Sequence, residues 1–102
     1  MKQVRITVLK KQLYQEIARE YLTDYPDVEC DAFQEGDQFL YTGGAEMPEG
    51  FCPWAWVDIY RSVSGLSAGG SHTPWQRREG VNVVCCTDGV RPVTFLLEAL
   101  EE

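Results

Sequence analysis

The feature that most constrains the fold is the alternation of apolar and polar side chains near the start of the chain. From Val4 to Leu9 the sequence reads V-R-I-T-V-L, which puts three β-branched residues on one side and Arg5 and Thr7 on the other. A period of two in β-branched residues is typical of a strand with one buried face. We therefore predict a half-buried strand here, broken by the lysine pair that follows it.

Helical spacing comes next. Between Lys11 and Leu22 the apolar residues recur every three or four positions, which predicts an amphipathic helix with one face in the core. The predicted core face consists of Leu13, Tyr14, Ile17, Ala18, Tyr21 and Leu22. Pro26 disfavours helical geometry in the residue before it, so the segment Thr23–Asp27 is expected to end the helix.

A second helix is predicted to begin at Pro53, because proline suits the first helical position. Gly65 or the pair Gly69-Gly70 would close it. Trp56 or Val57 would share a face with Tyr60 and Val63. Asp58 and Arg61 stand three residues apart, and we expect them to pair on the exposed side.

Three further strands complete the pattern, at Gln38–Thr42, Val81–Cys86 and Val90–Leu97. Asp88-Gly89 between the last two is a strong hairpin signal. The sequence thus predicts a single α+β domain over residues 1–102, with about four short strands in a small, mostly antiparallel sheet and two helices.

Charge and hydropathy exclude several classes of function. Sixteen acidic residues against nine basic ones give a net charge of −7, which opposes binding to a phosphate backbone. The apolar runs are far shorter than the roughly 20 residues that span a bilayer, and the start of the chain does not read as a signal peptide. We expect a cytoplasmic protein with neither nucleic acid nor membrane as a partner.

Four cysteines are the most informative chemical feature: Cys30, Cys52, Cys85 and Cys86. Their spacing does not match a zinc finger, and a disulfide scaffold is disfavoured where thiols stay reduced. Free cysteines are most often small apolar core residues, so packing is the first interpretation. If the thiols converge instead, their softness suits zinc or iron, and thiol chemistry is the other alternative.

The cysteines differ in their local setting. Cys52 precedes Pro53 at a predicted helix start, where free amides and the helix dipole stabilise a thiolate. Cys85 and Cys86 are adjacent in a predicted strand and should face opposite sides of the sheet. One of them would then lie in the core and the other would look outward, and Cys30 could supply a third sulfur.

Other candidate site residues carry weaker signals. His72 is the one histidine and lies in a Gly/Ser-rich loop, which is typical of a mobile ligand or an ordinary surface residue. Asp58, Arg61 and Arg91 flank the cysteine segments, and Arg91 could bind a carboxylate or phosphate in bidentate fashion. The sequence has neither a phosphate-binding glycine motif nor a nucleophile elbow.

Two blocks of sequence carry a family resemblance. Phe51–Tyr60 reads F-C-P-W-A-W-V-D-I-Y, and Cys85–Phe95 reads C-C-T-D-G-V-R-P-V-T-F. They resemble an uncharacterised family of small bacterial and archaeal proteins with F-C-x-W-A-W-x-D-I-Y and C-C-T-D-G-x-R-P-V-x-F blocks. The resemblance implies no activity. Many members have a histidine where this chain has Pro53, which argues against a metal ligand at that position.

Two hypotheses of different classes follow. The first is a small domain with a cysteine-lined site for metal binding or thiol chemistry, built from Cys52 with Cys85 or Cys86 and with Cys30 as a third member. The second is a non-catalytic homo-oligomeric interaction or small-ligand-binding module with structural cysteines. Aromatic residues, which are enriched at interfaces, would then form the contact surface: Phe51, Trp54, Trp56, Tyr60 and Trp75.

Overall fold

A computed structural model describes residues 1–24 and 28–101 of the chain. In this part the elements follow the order β1 (Val4–Lys11), α1 (Gln15–Tyr21), β2 (Gln38–Tyr41), α2 (Pro53–Ser67), β3 (Val81–Cys85) and β4 (Val93–Ala99). The strands form one four-stranded sheet in the order β2-β1-β4-β3, with every neighbouring pair antiparallel. The predicted α+β class is confirmed.

The two strands nearest the ends of the chain form the centre of the sheet and supply most of its core face. Alternation along β1 buries Val4, Ile6 and Val8, and alternation along β4 buries Val93, Phe95 and Leu97. In the register of this pair Ile6 lies opposite Leu97 and Val8 opposite Phe95. The apolar residues therefore share one face of the sheet.

Helix α2 packs on that face. The buried positions are Ala55, Ile59, Val63 and Leu66, which recur at helical spacing. Val57 is 79% exposed whereas Val63 is buried, so of the two predicted alternatives Val57 does not share a face with Val63. Trp56 and Tyr60 are half-buried at the side of the helix, where their rings contact each other and the ring of Tyr41 on β2.

The helix ends at the later of the two predicted positions. It continues through Gly65, and Gly69 then adopts a left-handed conformation with φ 94°. The amide of Gly69 donates to the Leu66 carbonyl at 3.0 Å, and that of Gly70 donates to the Gly65 carbonyl at 2.9 Å. This pair of bonds is a Schellman motif, in which glycine is favoured because it carries no Cβ.

The lysine pair does not break the first strand. The β1–β4 register shifts between Val8 and Lys10, so Leu9 is the extra residue of a β-bulge and pairing continues to Lys11. The bulge allows the strand to bend without ending, and the prediction of a break at Lys10 and Lys11 was wrong. Beyond the strand, the Gln12 amide still donates to the Pro92 carbonyl at 3.0 Å.

Because the strand is longer than predicted, α1 is shorter and its predicted core face is incorrect. Of the helix residues only Ala18 is buried, whereas Tyr21 is 78% exposed and Ile17 is also exposed. The core face of the sheet is occupied by α2. The N-cap residue of α1, Tyr14, is linked to the loop before β4 by its amide, which donates to the Val90 carbonyl at 2.9 Å. Pro26, the predicted stop signal, lies outside the described residues.

The last two strands pair as predicted, but a longer connection joins them. β3 ends at Cys85 and β4 begins at Val93, so the tight turn expected at Asp88-Gly89 is wrong. Asp88 Oδ1 accepts the amides of Val90 at 2.9 Å and Arg91 at 2.8 Å, which shapes a wider loop. Neither described helix is long and apolar enough to cross a lipid bilayer.

Candidate functional site

A cavity of about 240 Å³ opens beside the N-terminal end of α2. Three of the four free cysteines line it: Cys30, Cys52 and Cys86. Cys85 lies outside it and is exposed. The other lining residues are Asp31, Ala32, Phe33, Trp54, Ala55, Asp88, Arg91 and Val93. Three cysteines from separate segments of the chain therefore line one cavity.

Cys52 is the N-cap residue of α2, as the sequence predicted, with Pro53 in the first turn. Its backbone is extended, with φ −72° and ψ 122°, and its carbonyl accepts the Trp56 amide at 2.9 Å. Within the described chain the side chain makes no capping hydrogen bond. Cys52 is half-buried and lines the cavity, and its thiol does not serve as a helix cap.

Cys86 follows directly after β3 and faces inward, with 8% of its surface exposed. Its amide donates to the Val93 carbonyl at 3.1 Å, and the Val93 amide donates to Cys86 Sγ at 3.4 Å. The prediction that Cys85 and Cys86 face opposite sides is confirmed, since Cys85 is exposed.

Asp58 holds the turn after Cys86 against α2. Its Oδ2 accepts the Thr87 amide at 2.8 Å and the Thr87 hydroxyl at 2.9 Å. The indole of Trp54 donates to the same hydroxyl oxygen at 3.3 Å. Asp58 is therefore a positioning residue that fixes the Cys86 turn relative to α2, whose N-cap is Cys52.

The expected pairing of Asp58 with Arg61 is wrong, because the Asp58 carboxylate instead accepts two hydrogen bonds from Thr87. Arg61 is exposed on α2 and lies outside the cavity. His72 is also exposed and outside it, and its carbonyl accepts the Gln76 amide at 2.9 Å.

Lys11 positions the segment that carries Cys30. Its ammonium donates to the carbonyls of Cys30 at 3.0 Å and Phe33 at 2.8 Å, and its amide donates to Glu35 Oε2 at 3.0 Å. Sequence reasoning missed this residue because adjacent lysines at a strand end read as solvent-exposed. Its position depends on the bulge at Leu9, and its contacts depend on the loop of Cys30 and Phe33, which is distant in sequence.

Phe33 anchors the Cys30 segment in the hydrophobic core. It is 2% exposed, and its ring centroid lies 5.0 Å from that of Phe51, 5.3 Å from Phe95 and 5.7 Å from Phe39. The contacts with Phe39 and Phe95 are edge-to-face, a favoured aromatic geometry. Phe33, which lines the cavity, thus belongs to a packed aromatic cluster.

Charge at the cavity comes from Arg91 and two carboxylates. Arg91 is half-buried and is the cation among the lining residues of the described chain. Asp88 also lines the cavity, and its Oδ1 is engaged by the loop amides. Among residues 1–24 and 28–101, no group of three or more histidine, cysteine, aspartate or glutamate side chains is arranged to hold a metal ion.

Two sequence blocks meet at this cavity, since Phe51–Tyr60 supplies Cys52 and Cys85–Phe95 supplies Cys86 and Arg91. Comparison of the chain with family models, with curated proteins and with solved structures gives no match. The functional argument therefore depends on the geometry of the cavity itself.

Proposed function

We propose that the cavity is a site of thiol chemistry, in which Cys52 is the reacting thiol and Cys86 its partner. The observation that supports this proposal is that three free cysteines from three segments line one cavity of about 240 Å³. A purely structural role does not require the thiols to meet at a cavity, since buried cysteines pack well as isolated small apolar groups.

Cys52 is the more accessible cysteine of the pair. It is half-buried at the start of the 15-residue helix α2, and within the described chain its side chain makes no capping hydrogen bond. Cys86 is nearly fully buried and its sulfur accepts a hydrogen bond from Val93. That environment suits a thiol that reacts second.

The reaction we propose is reversible two-electron oxidation by a hydroperoxide. The Cys52 thiolate attacks the terminal peroxide oxygen, the O–O bond breaks, and the leaving oxygen takes a proton and departs as water or an alcohol. The Cys86 thiol then attacks the sulfenic sulfur, its proton leaves with the hydroxyl as water, and a Cys52–Cys86 disulfide forms. An external dithiol returns both electrons and restores the two thiols.

Other residues of the cavity have supporting roles in this proposal. Arg91 supplies positive charge where the leaving oxygen develops negative charge. Asp58 and Lys11 position the Cys86 turn and the Cys30 segment. We further propose a cytoplasmic setting, where thiols are kept reduced, and no nucleic-acid partner, because the chain carries a net charge of −7.

The test uses a Cys85→Ser background, so that the exposed thiol cannot link two copies. Reduced protein is treated with equimolar hydrogen peroxide, and disulfides are mapped by peptide mass spectrometry. We expect a Cys52–Cys86 disulfide that dithiothreitol reverses. Oxidation of Cys52→Ser in the same background should leave Cys86 as a free thiol. Cavity thiols that remain unmodified in the parent would overturn the proposal.

The same protein distinguishes the metal-binding alternative. Cadmium is added to reduced, chelator-treated protein, and thiolate-to-metal absorbance is followed. Stoichiometric binding that requires Cys52, together with no disulfide after peroxide treatment, would assign the cavity to a soft metal instead.

A second candidate function is a non-catalytic interaction or small-ligand-binding module. It is favoured by Trp54, which is 69% exposed beside the cavity, and by exposed Val57 on the same helix. Light scattering and ligand-induced change in tryptophan fluorescence would test it. Trp54→Ala should abolish such binding, whereas Trp75→Ala, which changes an exposed tryptophan outside the cavity, should not.

A further inference from the structure

The outer edge of β3 offers an unpaired row of backbone groups. Among residues 1–24 and 28–101, β3 is the last strand in the order β2-β1-β4-β3, so only its inner side is paired with another strand. The Cys86 amide donates to Val93 at 3.1 Å and the Ala99 amide donates to Gly80 at 2.7 Å, which shows that the even-numbered residues face β4. Antiparallel strands alternate, so the N–H and C=O groups of Val81, Val83 and Cys85 point outward.

The β3 edge lacks the features that usually protect an edge strand from pairing with another chain. Charged residues, proline and bulges discourage strand addition, whereas β3 reads V-N-V-V-C and pairs regularly with β4 along its whole length. Val83 is 40% exposed on the sheet face opposite α2. On the face toward the core, the side-chain amide of Gln76 donates to Asn82 Oδ1 at 3.4 Å. This bond holds the loop that carries the 78%-exposed Trp75 next to the strand.

We propose that β3 pairs with β3 of a second copy of this chain, antiparallel about a two-fold axis at Val83. Val83 of the two copies then face each other, and Val81 of each faces Cys85 of the other. Each outward residue contributes one N–H and one C=O, so the paired edges exchange about six hydrogen bonds. The result is a continuous eight-stranded sheet.

A second copy fits this edge because the pairing is self-complementary and free of charge conflict. Between Gly80 and Thr87 there is no charged residue, so two chains that each carry −7 can approach here without like charges opposed. A two-fold axis satisfies the same groups on both copies, which is the isologous arrangement common in dimers. The cavity plays no part in this interface, so the proposal is independent of the thiol chemistry.

The test is the molar mass in solution of the reduced protein, measured by light scattering and sedimentation over a range of concentrations. Val83→Pro is the sharpest variant, because the Val83 amide faces away from β4 and its loss removes only an outward donor. We expect a dimer for the parent and a dissociation constant raised about tenfold or more for Val83→Pro. The α+β circular dichroism spectrum should be unchanged.

Val83→Lys tests the same edge without a proline. If Val83→Pro fails to fold, the molar mass of Val83→Lys tests the proposed dimer instead. The matched control is Leu40→Lys, which changes a similarly exposed apolar residue on the opposite edge strand β2. The control should remain dimeric. A parent protein that is monomeric at every concentration, or a folded Val83 variant that stays as dimeric as Leu40→Lys, would overturn the proposal.

Discussion

Replacing Asp58 by alanine tests how the site is held together. The change removes two hydrogen bonds to one carboxylate oxygen, from the Thr87 amide and the Thr87 hydroxyl. Bonds to charged acceptors contribute about 1.5–3 kcal/mol each when buried, but Thr87 is exposed and water can replace the acceptor. We therefore expect a loss of about 1.5–2 kcal/mol in the free energy of unfolding.

For a domain of this size that loss corresponds to a fall in Tm of about 6–16 °C, measured by circular dichroism. It should also loosen the turn after Cys86, and an opening easier by about 1.5 kcal/mol raises the alkylation rate of that buried thiol roughly tenfold. The rate can be followed by mass spectrometry with iodoacetamide.

The control for this experiment is Arg61→Ala, on the same helix and exposed. It should change the free energy of unfolding by less than about 0.5 kcal/mol. Equal losses in Asp58→Ala and Arg61→Ala would show that the intrahelical pair expected from sequence is the real contact. The proposed link between Asp58 and Thr87 would then be refuted.

Three further predictions concern other parts of the fold. Lys11→Met leaves two loop carbonyls without their donor and should lower the free energy of unfolding by about 1–3 kcal/mol in urea titrations, whereas exposed Lys10→Met should be nearly neutral. Phe33→Ala should cost about 3–5 kcal/mol by the same measurement, because it empties the centre of an aromatic cluster; a loss below 1 kcal/mol would contradict the packing. Hydrogen bonds, first from the Ser71 hydroxyl and then from Thr73, lower the pKa of Glu79. Their stabilising effect is complete above the ordinary glutamate pKa and is lost as pH falls through the lowered value. NMR titration should show that low midpoint, and Thr73→Ala should raise it; an unchanged midpoint in the variant would be inconsistent with the bond.

Much of the fold could be predicted because the signals are local. The alternation along Val4–Val8 and the proline after Cys52 depend on neighbouring residues alone, and the structure agrees with both. The opposite facing of Cys85 and Cys86 follows in the same way from strand geometry.

Errors arose where a distant segment competes for a residue. The apolar spacing of α1 predicted a buried face, but α2 already occupies the core side of the sheet and leaves Ile17 exposed. Asp58 has a local cation three residues away, yet Thr87, distant in sequence, takes its carboxylate with two short bonds.

The sequence by itself determined the class of the fold, the strand and helix periods, and the presence of a cysteine at a helix start. It did so because period, proline and capping act over a few residues. Which thiols share a cavity was decided only by the tertiary structure: the bulge at Leu9, the reach of Lys11 to the Cys30 loop and the Asp58–Thr87 contact join segments far apart in the chain. Such contacts depend on packing in three dimensions, for which a linear pattern carries no signal.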